Sequence, residues 1–219
     1  MSESDVFIVT STVATKYGTG DRLAETLGTI ESIRKRSDAK IMLLDSSVTP
    51  WDEIPVRDAV DTFLRINDEY VRNLSESSHG RGFIKSATEC YLMRVALDQI
   101  GYKYKRIYKL SGRYRLTDQF QEHSGVNVTT LSPIKSGLTG AGADHMLMTR
   151  LYSFDNDLRT FMANVYTQIE RFLWDMYSNG YTTDIEHGMY KYLPKHVCSY
   201  KTPIGVTGRI GHLRVEVTE

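Results

Sequence analysis

Apolar positions along the chain follow two rhythms. Unbroken apolar runs at "DVFIVTSTV" (5–13) and "KIMLLDSS" (40–47) predict strands covered on both faces. Between them lie a turn-rich "KYGTG" and then Leu23, Leu27, Ile30 and Ile33 at helical spacing, with Asp21 placed as an N-cap and "RKRSDA" as the polar exit. Strand, helix and strand in this order make a right-handed βαβ unit. Further on, "DEIPVRDAVDTFLRI" predicts a short helix after Pro55, "EYVRNL" a third strand and "SESSHGRG" a loop. Phe83 to Ile100 reads as an amphipathic helix with Ile84, Ala87, Tyr91, Val95 and Ile100 on one face and Gly101 as its C′ residue. "YKRIYKLSGRYRL" reads as a strand running into a turn, and "GVNVTTLS" and "HMLMTRLYSF" as two more strands. Asp155 or Asn156 caps a long helix carrying Leu158, Phe161, Val165, Ile169, Phe172 and Met176 up to Gly180, and "VTGRIGHLRVEV" is a short strand or a tail.

Alternation of strands and helices gives an α/β domain with a mixed, mostly parallel central sheet flanked by helices. With 219 residues a single domain is expected. Basic and acidic residues number 27 each, so no global field draws the chain to nucleic acid or membrane, and any anion site is local. Cys90 and Cys198 fit neither a disulfide framework nor a metal knuckle. No apolar run approaches the roughly 20 residues of a membrane span, and the N-terminus lacks the charge and apolar pattern of a signal peptide. A cytoplasmic protein is expected.

In a parallel sheet, ligands bind beyond the C-terminal ends of the strands. Thr10, Ser11 and Thr12, then Asp45 to Ser47, then Ser111, Gly112, Arg113 and Tyr114 fall on that edge. Lys105, Arg106, Lys109, Arg113 and Arg115 precede the first acid, Asp118, a density of cations that a strand interior seldom carries. Lys109 and Arg113 suit phosphate oxygens, and Gly112 suits a turn or a close backbone approach. The "ESSHGRGFIKS" segment lacks a Walker signature, yet a helix start with Arg81 and Lys85 can hold a phosphate. "TTDIEHGMYKYL" supplies Glu186, then Asp184 and His187, as acid–base candidates or as acids at a helix N-terminus. Asp144 and His145 are rivals for that role, or acceptor contacts along with Tyr114 and Arg115.

The stretches "FIVTST" and "LAETLGTIESIRKRSDAKIMLLDSS" resemble the nucleotide-binding half of GT-A glycosyltransferases, and "YKRIYKLSGRYRL", "TRLYSF" and "DIEHGMYKYL" resemble pieces of small phage, viral and lipopolysaccharide-type sugar transferases. This resemblance implies a GT-A-like, Rossmann-like domain, with residues 1–120 as the nucleotide-sugar half and 121–219 as the acceptor and catalytic half. It places Thr10, Ser11, Thr12, Ser32, Ile33 and Asp45 near the nucleotide. Most relatives carry a D-x-D metal pair where this chain has "KLSGRY". The resemblance therefore implies that Lys109 and Arg113 replace or assist a divalent cation (Mn or Mg), with Asp118 or Asp144 as ligands if one is used.

The implied activity is transfer of a sugar from a nucleoside-diphosphate sugar, UDP-sugar first, to an acceptor hydroxyl. The acceptor is a glycan or a hydroxymethylated base in phage DNA, the latter suggested by tyrosines interleaved with cations from Tyr102 to Arg115. A non-catalytic nucleotide- or anion-binding α/β module is the alternative of a different class.

Overall fold

The structure, a computed structural model, describes residues 4–15, 21–121, 126–133, 145–201, 204–210 and 215–218. At its centre is a seven-stranded mixed sheet. β1 (Val6–Ser11), β2 (Lys40–Asp45), β3 (Thr62–Arg65) and β4 (Arg106–Ser111) form a parallel wing in the order β3-β2-β1-β4. Beyond β4, β7 (His145–Asp155) pairs antiparallel with β4, and β6 (Val126–Pro133) pairs antiparallel with β7. β8 (Cys198–Lys201) completes the sheet parallel to β6.

Helices cover both faces, which is why the central strands read as continuous apolar runs. Phe7, Val9, Ile41 and Leu43 meet Ile30 and Ile33 of α1 (Arg22–Arg36) on one face. On the other, Val6, Ile8, Met42 and Leu44 join a cluster with α4 (Arg81–Ile100), α5 (Arg159–Ser178) and α6 (Ile185–Tyr192). Each large aliphatic side chain so enclosed contributes roughly 1.5–3 kcal/mol. Asp21 caps α1, its carboxylate accepting from the Ala24 N–H at 3.0 Å. A second sheet, β5 (Tyr114–Leu116), β9 (Val206–Ile210) and β10 (Val215–Thr218), is antiparallel and lies against α1, where Ser32 Oγ accepts from the Leu116 N–H at 2.9 Å. The seven-stranded sheet and the core run continuously across residue 120, since β4 pairs with β7 and β5 with β9.

Several elements differ from the sequence expectation. "EYVRNL" is helix α3 (Glu69–Glu76), not a strand: Asp68 caps it, and Val71 and Leu74 are buried on one side. The third strand is instead "TFLR", which pairs with β2 as the partly exposed edge of the parallel wing. The helix beside Pro55, α2, is confined to Ile54–Arg57. On α4 the buried face carries Phe83, Ala87, Cys90, Met93 and Leu97, whereas Ile84, Tyr91 and Val95 are half-buried. Asp155 and Asn156 do not cap α5. A 3-10 turn, Asn156–Leu158, precedes it, and the Asp155 carboxylate pairs with the Arg106 guanidinium. Gly180, at φ +79°, follows the end of α5. Among the described residues no helix is long and apolar enough to cross a membrane.

Candidate functional site

From β1 the chain moves through α1 to β2 and β3 on one side, then returns with β4 on the other side of β1. The strand order therefore reverses between β1 and β4, and the crevice beyond their C-terminal ends is the place where an open α/β sheet receives a ligand. β7 runs antiparallel, so it brings its first residues to this same edge.

Tight backbone contacts shape the floor. The Gly112 N–H donates to the Thr10 carbonyl at 2.9 Å, and a Cβ on Gly112 would lie 3.1 Å from both Thr10 O and Ser11 Cβ. Gly112 thus serves close approach of the β4–β5 turn to the end of β1. Ser11 Oγ bonds Thr26 Oγ1 at 2.9 Å, and Thr12 Oγ1 bonds Ser46 Oγ at 2.6 Å. Asp45 is fully buried. Its carboxylate accepts from the Val13 and Ser47 N–H groups and from Trp51 Nε1. Burial pushes its carboxyl up, against the pull of these bonds. It ties the segment after β1 to the end of β2, with its oxygens committed to protein donors, rather than facing a nucleotide as the resemblance implied. Ser32 likewise serves the α1–β5 junction, and Ile33 the core.

One wall is cationic. Arg113 is half-buried and has no ion-pair partner among the described residues. Its charge acts on Arg22, at the first turn of α1. The Arg22 guanidinium is pushed down by burial and then by Arg113, while Glu25, 3.3 Å away, pulls it back. Arg150 of β7 lies 5.6 Å from the centre of the Tyr114 ring, on the same turn. Two guanidiniums, one of them pushing the other down, with one weakly held carboxylate nearby, make a site suited to a divalent anion. Arg22 escaped the sequence reading because it stands before the helical repeat begins, with nothing local to link it to a turn some 90 residues later.

Acids gather at the same edge on the other face of the sheet, beside the start of β7. Glu186, in the first turn of α6, is half-buried and accepts from Thr149 Oγ1 at 2.8 Å. Burial pushes its carboxyl up. The Lys85 ammonium and the Thr149 hydroxyl pull it down, and the charges of Asp184 and Glu89 push it up again, leaving it raised. Lys85 is exposed on α4 and makes no hydrogen bond among the described residues. Asp184 is the N-cap of α6, accepting from the His187 N–H at 3.1 Å and meeting His187 Nδ1. Although burial opposes it, the His187 bonds hold the Asp184 carboxyl below its ordinary value. His187 is itself 1% exposed. Asp184 and His187 thus bond one another, and of the two acids Glu186 is the one whose carboxyl is raised. α6 is fixed to α4 by the Ile185 N–H donating to Ser86 Oγ at 3.1 Å.

Other expected site residues lie elsewhere. Lys109 is fully buried, paired with Glu89, and donates to Ser111 Oγ and the Thr149 carbonyl. It is not a free phosphate ligand. Tyr114 is buried in the core, and the Arg115 guanidinium lies across Gly28 on α1, where a Cβ would meet it at 2.5 Å. Asp118 is 92% exposed and pairs with Arg36 along α1. Asp144 and the side chain of His145 fall outside the described residues. Of the interleaved tyrosines, Tyr108 is in the core, Tyr104 packs against it, and Tyr102 is exposed near the opposite, N-terminal end of β4. Arg106 is buried beside Asp155 and Ser153. These cations and rings therefore form no common surface. Among the described residues no three metal-ligating side chains of the His, Cys, Asp and Glu types converge. A scan of the chain against protein-family models found no match, and a comparison with curated proteins found none.

Proposed function

We propose that the protein is a glycosyltransferase moving a sugar from a nucleoside-diphosphate sugar, UDP-sugar first, to an acceptor hydroxyl. The observation that carries this reading is Glu186: a half-buried carboxylate with raised proton affinity, at the same sheet edge as the Arg22–Arg113 pair. The GT-A resemblance of "FIVTST" and the following helix and strand adds to it. The acceptor oxygen attacks the anomeric carbon and its proton passes to the ionised Glu186. The bond to the leaving phosphate oxygen breaks, and the charge it gathers is met by Arg113 and Arg22. A raised pKa strengthens the base and brings it nearer working pH. Because the tyrosines of 102–114 are dispersed, no stacking platform for a flipped base forms among the described residues. A glycan hydroxyl is therefore the acceptor proposed.

The test is a thermal-shift panel of nucleoside diphosphates and UDP-sugars, with EDTA and with Mn²⁺, followed by an assay of UDP release with glycan acceptors. A nucleotide-specific shift, with transfer lost in Glu186→Gln but the shift retained, is expected. A shift that needs Mn²⁺ gives the diphosphate a metal partner besides the arginines. Absence of any shift, or full transfer in Glu186→Gln, overturns the reading.

A further inference from the structure

Lys109 occupies an inward position on β4, where its neighbours across the sheet are Ile8 and Tyr152. An ammonium has three N–H donors, and this one has three acceptors: the Glu89 carboxylate, Ser111 Oγ at 2.8 Å and the Thr149 carbonyl at 2.7 Å. The last of these is informative. The β4–β7 pairing ends at Leu110 and Leu151, so Thr149 lies past the point where the two backbones hold one another. Beyond that point the Lys109 ammonium continues the linkage. The same Thr149 donates its hydroxyl to Glu186.

Around Glu186 stand Lys85 and Glu89 from α4, Lys109 from β4, Thr149 from β7, and Asp184 and His187 from α6. Cys90 and Tyr166 lie behind Glu89, and burial pushes both of them up, so they stay protonated and neutral. The charges sort themselves by contact. Among the described residues Glu89 has Lys109, Asp184 has His187 and the α6 cap, and Glu186 has the Thr149 hydroxyl and, without direct contact, the charges of Lys85 and Lys109. Among the three carboxylates, Glu186 is the one with least compensation.

We infer that Lys109 is a positioning residue for Glu186: neutralised by Glu89, it holds the Thr149 backbone so that the Thr149 hydroxyl is aimed at the Glu186 carboxylate. Its meaning for catalysis rests on the proposed acid–base role of Glu186; its geometry does not. This gives the buried lysine a purpose different from the phosphate contact expected of it.

The experiment is a ¹³C NMR titration of the full chain labelled at glutamate carboxyls, with the Glu186 signal assigned by its loss in Glu186→Gln. Thr149→Val removes a hydrogen bond that favours the ionised form, so the Glu186 midpoint rises by about one pH unit. The neutral swap Glu89→Gln/Lys109→Met removes the push of Glu89 and the pull of Lys109 on Glu186 together, so the midpoint is expected to rise comparably through the lost Thr149 contact. Thr149→Val added to the swap gives little further shift, because both act through one contact. A swap that leaves Glu186 titrating as in the wild type, or shifts that simply add, overturns the inference. Should the swap not fold, Lys109→Arg keeps the charge but displaces the Thr149 carbonyl. An upward shift is again expected, and an unmoved Glu186 again overturns it. Transfer assays separate the two readings. Shifts as expected with Glu186→Gln fully active leave the positioning role of Lys109 standing and remove the acid–base role of Glu186. An inactive Glu186→Gln without the shifts does the reverse.

Discussion

Gly188 sits inside α6, two residues after Glu186, where a helix former would ordinarily be preferred by about 1 kcal/mol. A Cβ at this position would lie 2.5 Å from Ile169 Cγ2, 3.1 Å from its Cγ1 and 3.2 Å from its Cβ. Carbon atoms pack at roughly 3.5–4.0 Å, so either α6 retreats from α5 by about 1 Å or Ile169 leaves its rotamer. Ile169 is fully buried and has little room. Overpacking of this kind costs about 1–3 kcal/mol, which exceeds or cancels the propensity gain. Gly188→Ala is therefore expected to lower the urea midpoint at unchanged slope, and to weaken the Glu186–Thr149 contact that α6 positions. Ile169→Ala alone costs about 2–5 kcal/mol through the cavity it leaves. On that background the 2.5 Å and 3.1 Å contacts are gone and only the 3.2 Å approach to the Cβ at position 169 remains, a few tenths of an ångström that the cavity can absorb, so Gly188→Ala should now stabilise by up to about 1 kcal/mol. The sign reversal is the test. An equal effect of Gly188→Ala in both backgrounds, read by urea unfolding, refutes the packing argument.

Two further expectations concern other parts of the molecule. Asp61 accepts from the Ile41 N–H, Lys40 and Arg34, and these bonds outweigh the opposing effect of burial, bringing its carboxyl down to about 2. Its folded pKa lies below its ordinary 3.8, so its contribution is present above that value and lost as pH falls toward 2. Asp61→Asn should lower stability at neutral pH and flatten the acid limb of a stability-versus-pH curve between those limits; an unchanged limb contradicts this. Arg113→Ala and Arg22→Ala should each weaken UDP binding about 10- to 150-fold, the value of a charge-assisted contact of roughly 1.5–3 kcal/mol. Calorimetry at two salt concentrations checks this, and affinities unaltered by either change remove the anion-binding role.

β1, α1 and β2 were legible because burial on both faces leaves an unbroken apolar run, as in "VFIV" and "IMLL", and because Asp21 announces the start of α1. "EYVRNL" reads as a strand but forms a helix, and the strand falls on "TFLR" instead, for a physical reason. A four-residue edge strand and an eight-residue helix each offer too few periods to separate spacing of two from spacing of 3.6. β8 escaped notice because "CSYK" becomes a strand only through its partner β6, some 70 residues earlier. Glu186 could be chosen from its local setting, but the environment that raises its pKa comes from Lys85, Glu89 and Thr149 on other elements. Lys109 was singled out correctly as an unusual cation and assigned the wrong partner, since Glu89 lies a helix away and charge alone does not say whether a lysine points to solvent or to a carboxylate.

The turn bearing Arg113 leads directly into β5, whose sheet partner is β9. During synthesis, β1, β2 and β3 emerge by residue 65, yet β5 gains its neighbour only after residues 206–210 have been made. The order in which the chain is produced and the order in which the Arg113 turn gains its support are thus out of step. A nascent chain holds the first three parallel strands well before that turn is braced, so on the ribosome the binding competence proposed for it arrives late, as a property of the finished fold.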